Sequence, residues 1–449
     1  MASYTLLAAI ILGLATAQTP GTTPEVHPKL TTWKCTTAGG CKAQNTAVVA
    51  DAGTHFIHQR NNTAVACDPT ACTDEATCAK NCIVEGIQDY SANGVYTSGG
   101  TLKLDLYSPS GGVASPRLYL LAEDEKNYEM LELTGKELTF DVDVSKLPCG
   151  MNGALYLSEM EADGGRSELN PAGAEYGTGY CDAQCFVTPW INGVVSTCLR
   201  FLEYYDLHIL HRPMSKIRVY AATRWTSGRP THALRKLHLT HAISPASSAA
   251  QERIAQLRAS VVRSSSVRNA CETYTNFVHQ LDKNGCGDNP YSNRGDKSYY
   301  GPGLKVDTTK PFTVVTQFPA TDEGVLQAIV RKYIQNGVVM ENASQNITMD
   351  QAYCDAQGAA KYTELGGHKG MGDALSRGMV LAMSIWWDEG GAMNWLDSGS
   401  AGPCNATEGF PETIRQVEKA PTVTFSQIKW GEIGSTFAQQ NGTVYRWRA

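Results

Sequence analysis

The sequence predicts an all-β protein, a two-sheet antiparallel sandwich with long loops. Three observations carry that expectation. Thr139-Phe140-Asp141-Val142-Asp143-Val144 alternates strictly, which puts Phe140, Val142 and Val144 on one face of an extended strand. Other β-rich runs recur along the chain and are separated by turn residues. Helical periodicity is short and scattered, and no internal repeat is visible.

In chain order, the first segment is a leader. Leu6 to Leu14 is apolar but too short to span a bilayer, and Ala15-Thr16-Ala17 is a small-residue cleavage signature, although a charged region before it is missing. Residues 1–17 therefore read as a signal peptide, cut between Ala17 and Gln18, and the protein as secreted. Cysteine usage agrees. Cys35 and Cys41, and the cluster Cys67, Cys72, Cys78 and Cys82, suit disulfides in an oxidising compartment. Zinc is the rival, but there is no short Cys-x-x-Cys pair and no histidine at finger spacing. The strand of residues 139–144 follows, then β-rich runs at Phe312 to Phe318, Met379 to Trp387 and Thr422 to Trp430, with Gly301-Pro302-Gly303 as a turn. Sequons at Asn61, Asn342, Asn346, Asn405 and Asn441 offer surface sites for glycosylation.

Composition removes several function classes. The 449 residues are 42% apolar and 18% charged, with a net charge of −6, 42 Gly and 14 Cys. Such a balance gives no electrostatic footprint for nucleic acid or an anionic membrane. It also argues against disorder, coiled coil and integral membrane structure. One segment departs from the rest. Cys198 to Ala270 holds 12 of the 38 Lys and Arg, 3 of the 44 Asp and Glu, 5 of the 10 His and 1 of the 42 Gly. Its net charge is +9, which leaves −15 for the remainder. As an insertion it reads as basic and helical, with a helix at Ala249 to Val262. A polyanion-binding patch is a further reading, against which secretion and the acidic remainder argue.

Tyr176-Gly-Thr-Gly-Tyr-Cys-Asp-Ala-Gln-Cys185 resembles glycoside hydrolase family 7, the secreted cellulases of fungi. Similar to the same family are Leu147-Pro-Cys-Gly-Met-Asn-Gly-Ala-Leu-Tyr156, Cys78-Ala-Lys-Asn-Cys82 and Asp282-Lys-Asn-Gly-Cys-Gly287. So are Lys310 to Phe318, Gly378 to Trp386 and Trp395-Leu-Asp-Ser398. The likeness runs from about residue 18 to 195 and from about 280 to 438, and the tract around Trp386-Trp387-Asp388-Glu389 is closer to the endoglucanases than to the cellobiohydrolases. It implies a catalytic domain over 18–438, interrupted by an aberrant segment at about 196–280 and followed by a tail at 439–449. The implied fold is a jelly-roll sandwich with a concave cleft. The implied partner is cellulose or another β-1,4-glucan, bound by a monomer without cofactor or metal, and the charge balance already argues against nucleic acid and membrane as partners.

The family cleaves with retention, using two carboxylates about 5–5.5 Å apart as nucleophile and acid/base. They stand in a Glu-x-Asp-x-x-Glu motif after a Cys-Cys pair, and that motif is absent from this chain. No residue is therefore assigned a catalytic role. Read one base earlier, codons permitted for Tyr220 to Thr231 encode Cys-Cys-Asn-Glu-Met-Asp-Ile-Trp-Glu-Ala-Asn, which resembles the family's catalytic block. The same shift over Leu239 to Gln251 permits another family-like run. Val195-Ser196 and Val262-Arg263 are both encodable as intron donors. Two retained introns, or a pseudogene, account for all of this. The resemblance also implies the pairings Cys35–Cys41, Cys67–Cys82, Cys72–Cys78, Cys149–Cys404 and Cys286–Cys354. Cys181 and Cys185 are left without their family partners, and Cys198 and Cys271 are foreign.

The resemblance places Asn152 and Tyr156 beside the cleavage point, where amide and hydroxyl groups bind sugar hydroxyls. It places Asp182 and Gln184 beside the catalytic centre, and Trp386 and Trp395 as platforms on which glucose rings stack. A core tyrosine, a turn aspartate and a core tryptophan are the alternatives. Phe56, in Thr54-His55-Phe56, stands where the family often has Trp-Arg-Trp, and Ser292 replaces a family Arg. Glu159, Glu161 and Asp163 share one face if they lie on a strand, and otherwise anchor a loop. The chain has no G-x-S-x-G elbow or phosphate-binding glycine loop. A second reading is a glucan-binding protein on a cellulase scaffold, without hydrolysis.

Overall fold

The computed structural model describes residues 19–67, 70–71, 75–180, 190–191, 194–195, 206–208, 217–220, 284–340, 347–388, 390–440 and 443–445. Two large sheets dominate these residues. One has eight strands, in the order Cys286–Asp288, Ile217–Tyr220, Asp206–His208, Met151–Ser158, Met379–Trp387, Arg117–Leu121, Ala47–Ala50, with Met130–Leu131 beside Met379–Trp387. The other has twelve and is centred on Ala328–Gln335, Phe312–Gln317, Lys136–Asp143 and Thr422–Glu432. Pairing is antiparallel almost throughout, as expected. Thr32–Thr36 departs from this by running parallel to Thr422–Glu432.

Alternation explains how the sheets stack. Leu138, Phe140 and Val142 point inward from one sheet, and Met151, Leu155, Leu157, Leu381, Met383 and Ile385 from the other; all join one core. Each such side chain stabilises the fold by about 1.5–3 kcal/mol. The runs expected as strands form strands, with Phe312–Gln317 one residue shorter and Thr422–Glu432 two longer than the sequence suggested. Helices are short, and the longest among the described residues is Gly367–Arg377. None of the described helices is long and apolar enough to cross a membrane. The helix expected at Ala249 to Val262 and the leader lie outside the described residues.

Four implied disulfides are present: Cys35–Cys41, Cys67–Cys82, Cys149–Cys404 and Cys286–Cys354. Cys78 is also disulfide-bonded. Cys72, Cys181, Cys185, Cys198 and Cys271 lie outside the described residues.

Candidate functional site

The eight-stranded sheet has a second face, directed away from the main core. Strand register assembles it. Asn152 pairs with Trp386, Ala154 with Ser384 and Tyr156 with Ala382, while Arg117 and Tyr119 pair with Ser384 and Ala382 on the other side. Because side chains alternate, all of these occupy one face, and Ala154, Tyr156, Ala382 and Tyr119 form a second apolar cluster there with Tyr180. The segment from Met160 to Tyr180 covers part of this face.

Asn152 is 1% exposed, and neither atom of its amide has a hydrogen-bond partner. An unsatisfied buried polar group costs about 1–3 kcal/mol. Hydroxyl groups of a ligand laid across the row would remove that cost. Four positions along the strand, the Tyr156 hydroxyl donates to the Tyr180 hydroxyl at 3.1 Å. The Arg117 guanidinium lies 3.9 Å from the centre of the Tyr180 ring. Arg117 also donates to Asp51 Oδ2, from Nη2 at 2.8 Å and Nε at 3.2 Å, and the Tyr119 hydroxyl donates to the same oxygen at 2.5 Å. Burial pushes the Asp51 carboxyl up, but Arg117, Tyr119 and the Gly53 N–H outweigh it and hold the carboxyl below its ordinary range. Asp51 is therefore a fixed anion that orients Arg117 over the row. Sequence reading missed Asp51, Arg117 and Tyr119, and reached Tyr180 only as part of a motif.

At the far end of the row, the Trp386 and Trp395 rings lie 6.2 Å apart and 31° from parallel. Trp386 is half-buried, and Trp395, on the short helix Asn394–Asp397, is 44% exposed. The Trp395 Nε1–H donates to Asp388 Oδ2 at 3.2 Å, and Asp388 Oδ1 accepts the Gly390 and Gly391 N–H groups. Trp387 alternates to the inside, where Tyr107 meets its ring edge-on at 5.8 Å. One tryptophan of the adjacent pair is thus core, and the other lies on the opposite face beside Trp395. The structure brings Asn152, Tyr156, Trp386 and Trp395 onto one side of the sheet, while Asp182 and Gln184 lie outside the described residues.

The carboxylate cluster does not form a shared strand face. The strand stops at Ser158, and Glu159 ion-pairs with Arg377 at 2.6 Å. Asp163 Oδ1 accepts the Gly165 and Arg166 N–H groups. These contacts anchor a loop, the reading that the sequence favours over a catalytic face. Next to Met151–Ser158 come Asp206–His208 and then Ile217–Tyr220, both from the basic segment, and Asp206 is the one carboxylate residue in either. A metal centre has little support. Cys149, Asp397 and Cys404 are the one His, Cys, Asp and Glu group among the described residues close enough to hold an ion, and their two sulfurs are joined in a disulfide.

Phe56 is 58% exposed, with its ring 5.4 Å from that of His58. His58 Nε2 lies 3.0 Å from Glu85 Oε1, and Glu85 Oε2 accepts the Thr23 N–H at 2.7 Å. The Glu85 contact raises the His58 pKa. Burial pushes Glu85 up, but the His58 and Thr23 hydrogen bonds bring it down to about 2. The depressed carboxylate stabilises the fold above about pH 4.5, and this is lost as pH falls toward 2. The raised histidine stabilises it below about pH 6.5, and this is lost as pH rises through the histidine's folded pKa. Glu85→Gln is expected to lower the unfolding temperature most between these limits and little below pH 3. Thermal unfolding from pH 2.5 to 8 measures it, and a deficit that is the same at every pH rejects the pair as the cause.

The Glycosyl hydrolase family 7 model matches residues 20–199 and 243–437. The unmatched residues 200–242 fall inside the basic segment. The chain is 45% identical over 453 residues to the probable endo-beta-1,4-glucanase celB of Aspergillus clavatus, covering 97% of this chain and 98% of that one. It is 46% identical to endoglucanase 1 of Humicola insolens, covering 94% and 100%. Among solved structures, the native Humicola insolens endocellulase EGI superposes with a TM-score of 0.76 at 44% identity, covering 93% and 100%. A structure of endoglucanase I complexed with cellobiose gives 0.75 at 44%, covering 93% and 100%.

Proposed function

The chain belongs to glycosyl hydrolase family 7, and from that premise we propose that it descends from a secreted endo-β-1,4-glucanase whose glucan-binding row it retains while, in this sequence, lacking the carboxylates for hydrolysis. The row Asn152, Tyr156, Trp386 and Trp395 on one sheet face carries the binding half of this reading. Flat indole faces suit the axial C–H faces of a β-glucan, and the buried, unpartnered amide of Asn152 suits its hydroxyl groups. The absence of Glu-x-Asp-x-x-Glu, together with strands from the basic segment at the sheet edge beside Tyr156, supports the non-catalytic half. The disulfides support secretion, since they persist in oxidising compartments. Cellotetraose is the bound partner we expect, by one copy of the chain.

Calorimetric titration with cellotetraose, followed by chromatography of the sugar, tests both halves. The expected result is saturable binding with the tetraose recovered intact. Trp386→Ala is expected to weaken binding roughly tenfold, the loss of about 1.4 kcal/mol of stacking. Absence of binding removes the first half of the proposal, and cellobiose above a vector control removes the second.

A further inference from the structure

One buried carboxylate has no place in the row of sugar-facing groups, yet touches both elements that build its far end. Asp397 closes the helix Asn394–Asp397, two residues after Trp395, and is 1% exposed. Its Oδ2 accepts the Gly150 N–H at 2.7 Å, while Oδ1 is buried without a hydrogen-bond partner. Gly150 immediately precedes the strand that carries Asn152. The contact is closely confined. Gly150 has φ +78°, and a Cβ there would stand 2.1 Å from the Gly409 Cα. The neighbouring Cys149–Cys404 bridge and the Cys404 N–H bond to the Asp397 carbonyl hold the same junction.

We infer that Asp397 is a positioning residue for glucan binding: its hydrogen bond to Gly150 sets the Trp395 platform against the sheet row that begins at Asn152. The binding part of this rests on the glucan reading above.

Because Asp397 is charged or neutral within an ordinary pH range, the position of Trp395 becomes pH-dependent. Burial pushes the Asp397 carboxyl up to about 6 against the pull of the Gly150 N–H, and Glu408, the charged group acting on it, pushes the same way. A raised carboxyl stabilises the fold below about pH 4 and loses that contribution as pH rises through about 6. Above that pH the Gly150 N–H, with smaller help from Ser398 and the Asp397 backbone, holds an anion that burial and Glu408 oppose.

The test compares Asp397→Asn and Asp397→Leu with the parent chain from pH 4.5 to 8. Asn keeps a neutral acceptor for Gly150, whereas Leu removes it. Cellotetraose affinity of the parent is expected to fall several-fold across pH 6, that of Asp397→Asn to stay level, and that of Asp397→Leu to be weaker at every pH. A second readout needs no sugar and survives misfolding of the Leu variant. In protein labelled with 5-fluorotryptophan, the Trp395 ¹⁹F resonance, assigned by its loss in Trp395→Phe, should shift with a midpoint near pH 6 in the parent and not in Asp397→Asn. A resonance that is static in the parent, or moves equally in both, overturns the inference. A parent chain that binds no cellotetraose but shows the shift overturns the glucan reading alone.

Discussion

A chain that carries the shifted frame is expected to be an active cellulase, and the parent chain inactive. The corrected chain carries Cys-Cys-Asn-Glu-Met-Asp-Ile-Trp-Glu-Ala-Asn in place of Tyr220 to Thr231, with the stretches following Val195 and Val262 removed as introns. It should release reducing sugar from carboxymethyl-cellulose, while the parent stays at the level of a vector control. The expected difference is large because two chemical roles return together. A positioned general acid/base contributes about 10²–10⁴-fold, and a carboxylate nucleophile splits one difficult displacement into two easier ones. Changing either Glu of the restored block to Gln should return activity to baseline, which ties the gain to the carboxylates rather than to better folding. Sequencing the mature transcript across codons 190 to 290 comes first. If it lacks the inserts, the organism makes an ordinary cellulase; if it matches the parent chain, the carboxylates are lost and binding is the remaining function. Hydrolysis by the parent itself would overturn the argument.

The sequence exposed the fold and half of the site for different reasons. Strand Lys136–Asp143 was legible because Phe140, Val142 and Val144 fall on one face of an alternating run, a property local to the six residues from Thr139 to Val144. Asn152, Tyr156, Trp386 and Trp395 were reached through resemblance; register then put the first three on one face, and a ring contact sets Trp395 beside Trp386. Local pattern did not separate Trp386 from Trp387, since adjacent identical residues differ only in which side of the sheet each meets. Arg117 and Asp51 were invisible for another reason. They are 66 residues apart, and what makes Arg117 a site group is its seat on Tyr180, contributed by a third segment. Glu159, Glu161 and Asp163 were read from their sequence context as loop anchors, and they are: Gly164 and Gly165, both at positive φ, turn the chain just beyond them. Asp397 carried no sequence signal beyond its motif; its burial arises from the junction of strand, disulfide and loop.

That junction also sets the second large effect. Cys149–Cys404 closes 255 residues of chain, against 6 for Cys35–Cys41. On the loop-entropy account, the first bridge stabilises by about 5 kcal/mol and the second by about 2 kcal/mol. Replacing both cysteines of each bridge by Ser should therefore cost about 3 kcal/mol more at Cys149–Cys404, read as guanidinium midpoints at constant slope. The long bridge should also alter binding, which the short one should not. It ties the residue before Gly150 to the loop that returns to Asp397 through the Cys404 N–H, so its loss frees the Trp395 helix from the Asn152 strand. Cellotetraose affinity should fall with Cys149–Cys404 and hold with Cys35–Cys41, whose strands pair side by side in the opposite sheet. Equal losses of stability from the two bridges would mean that strain or residual unfolded structure, rather than loop length, governs them. Unchanged affinity would mean that the Asp397 contact alone suffices to hold the platform.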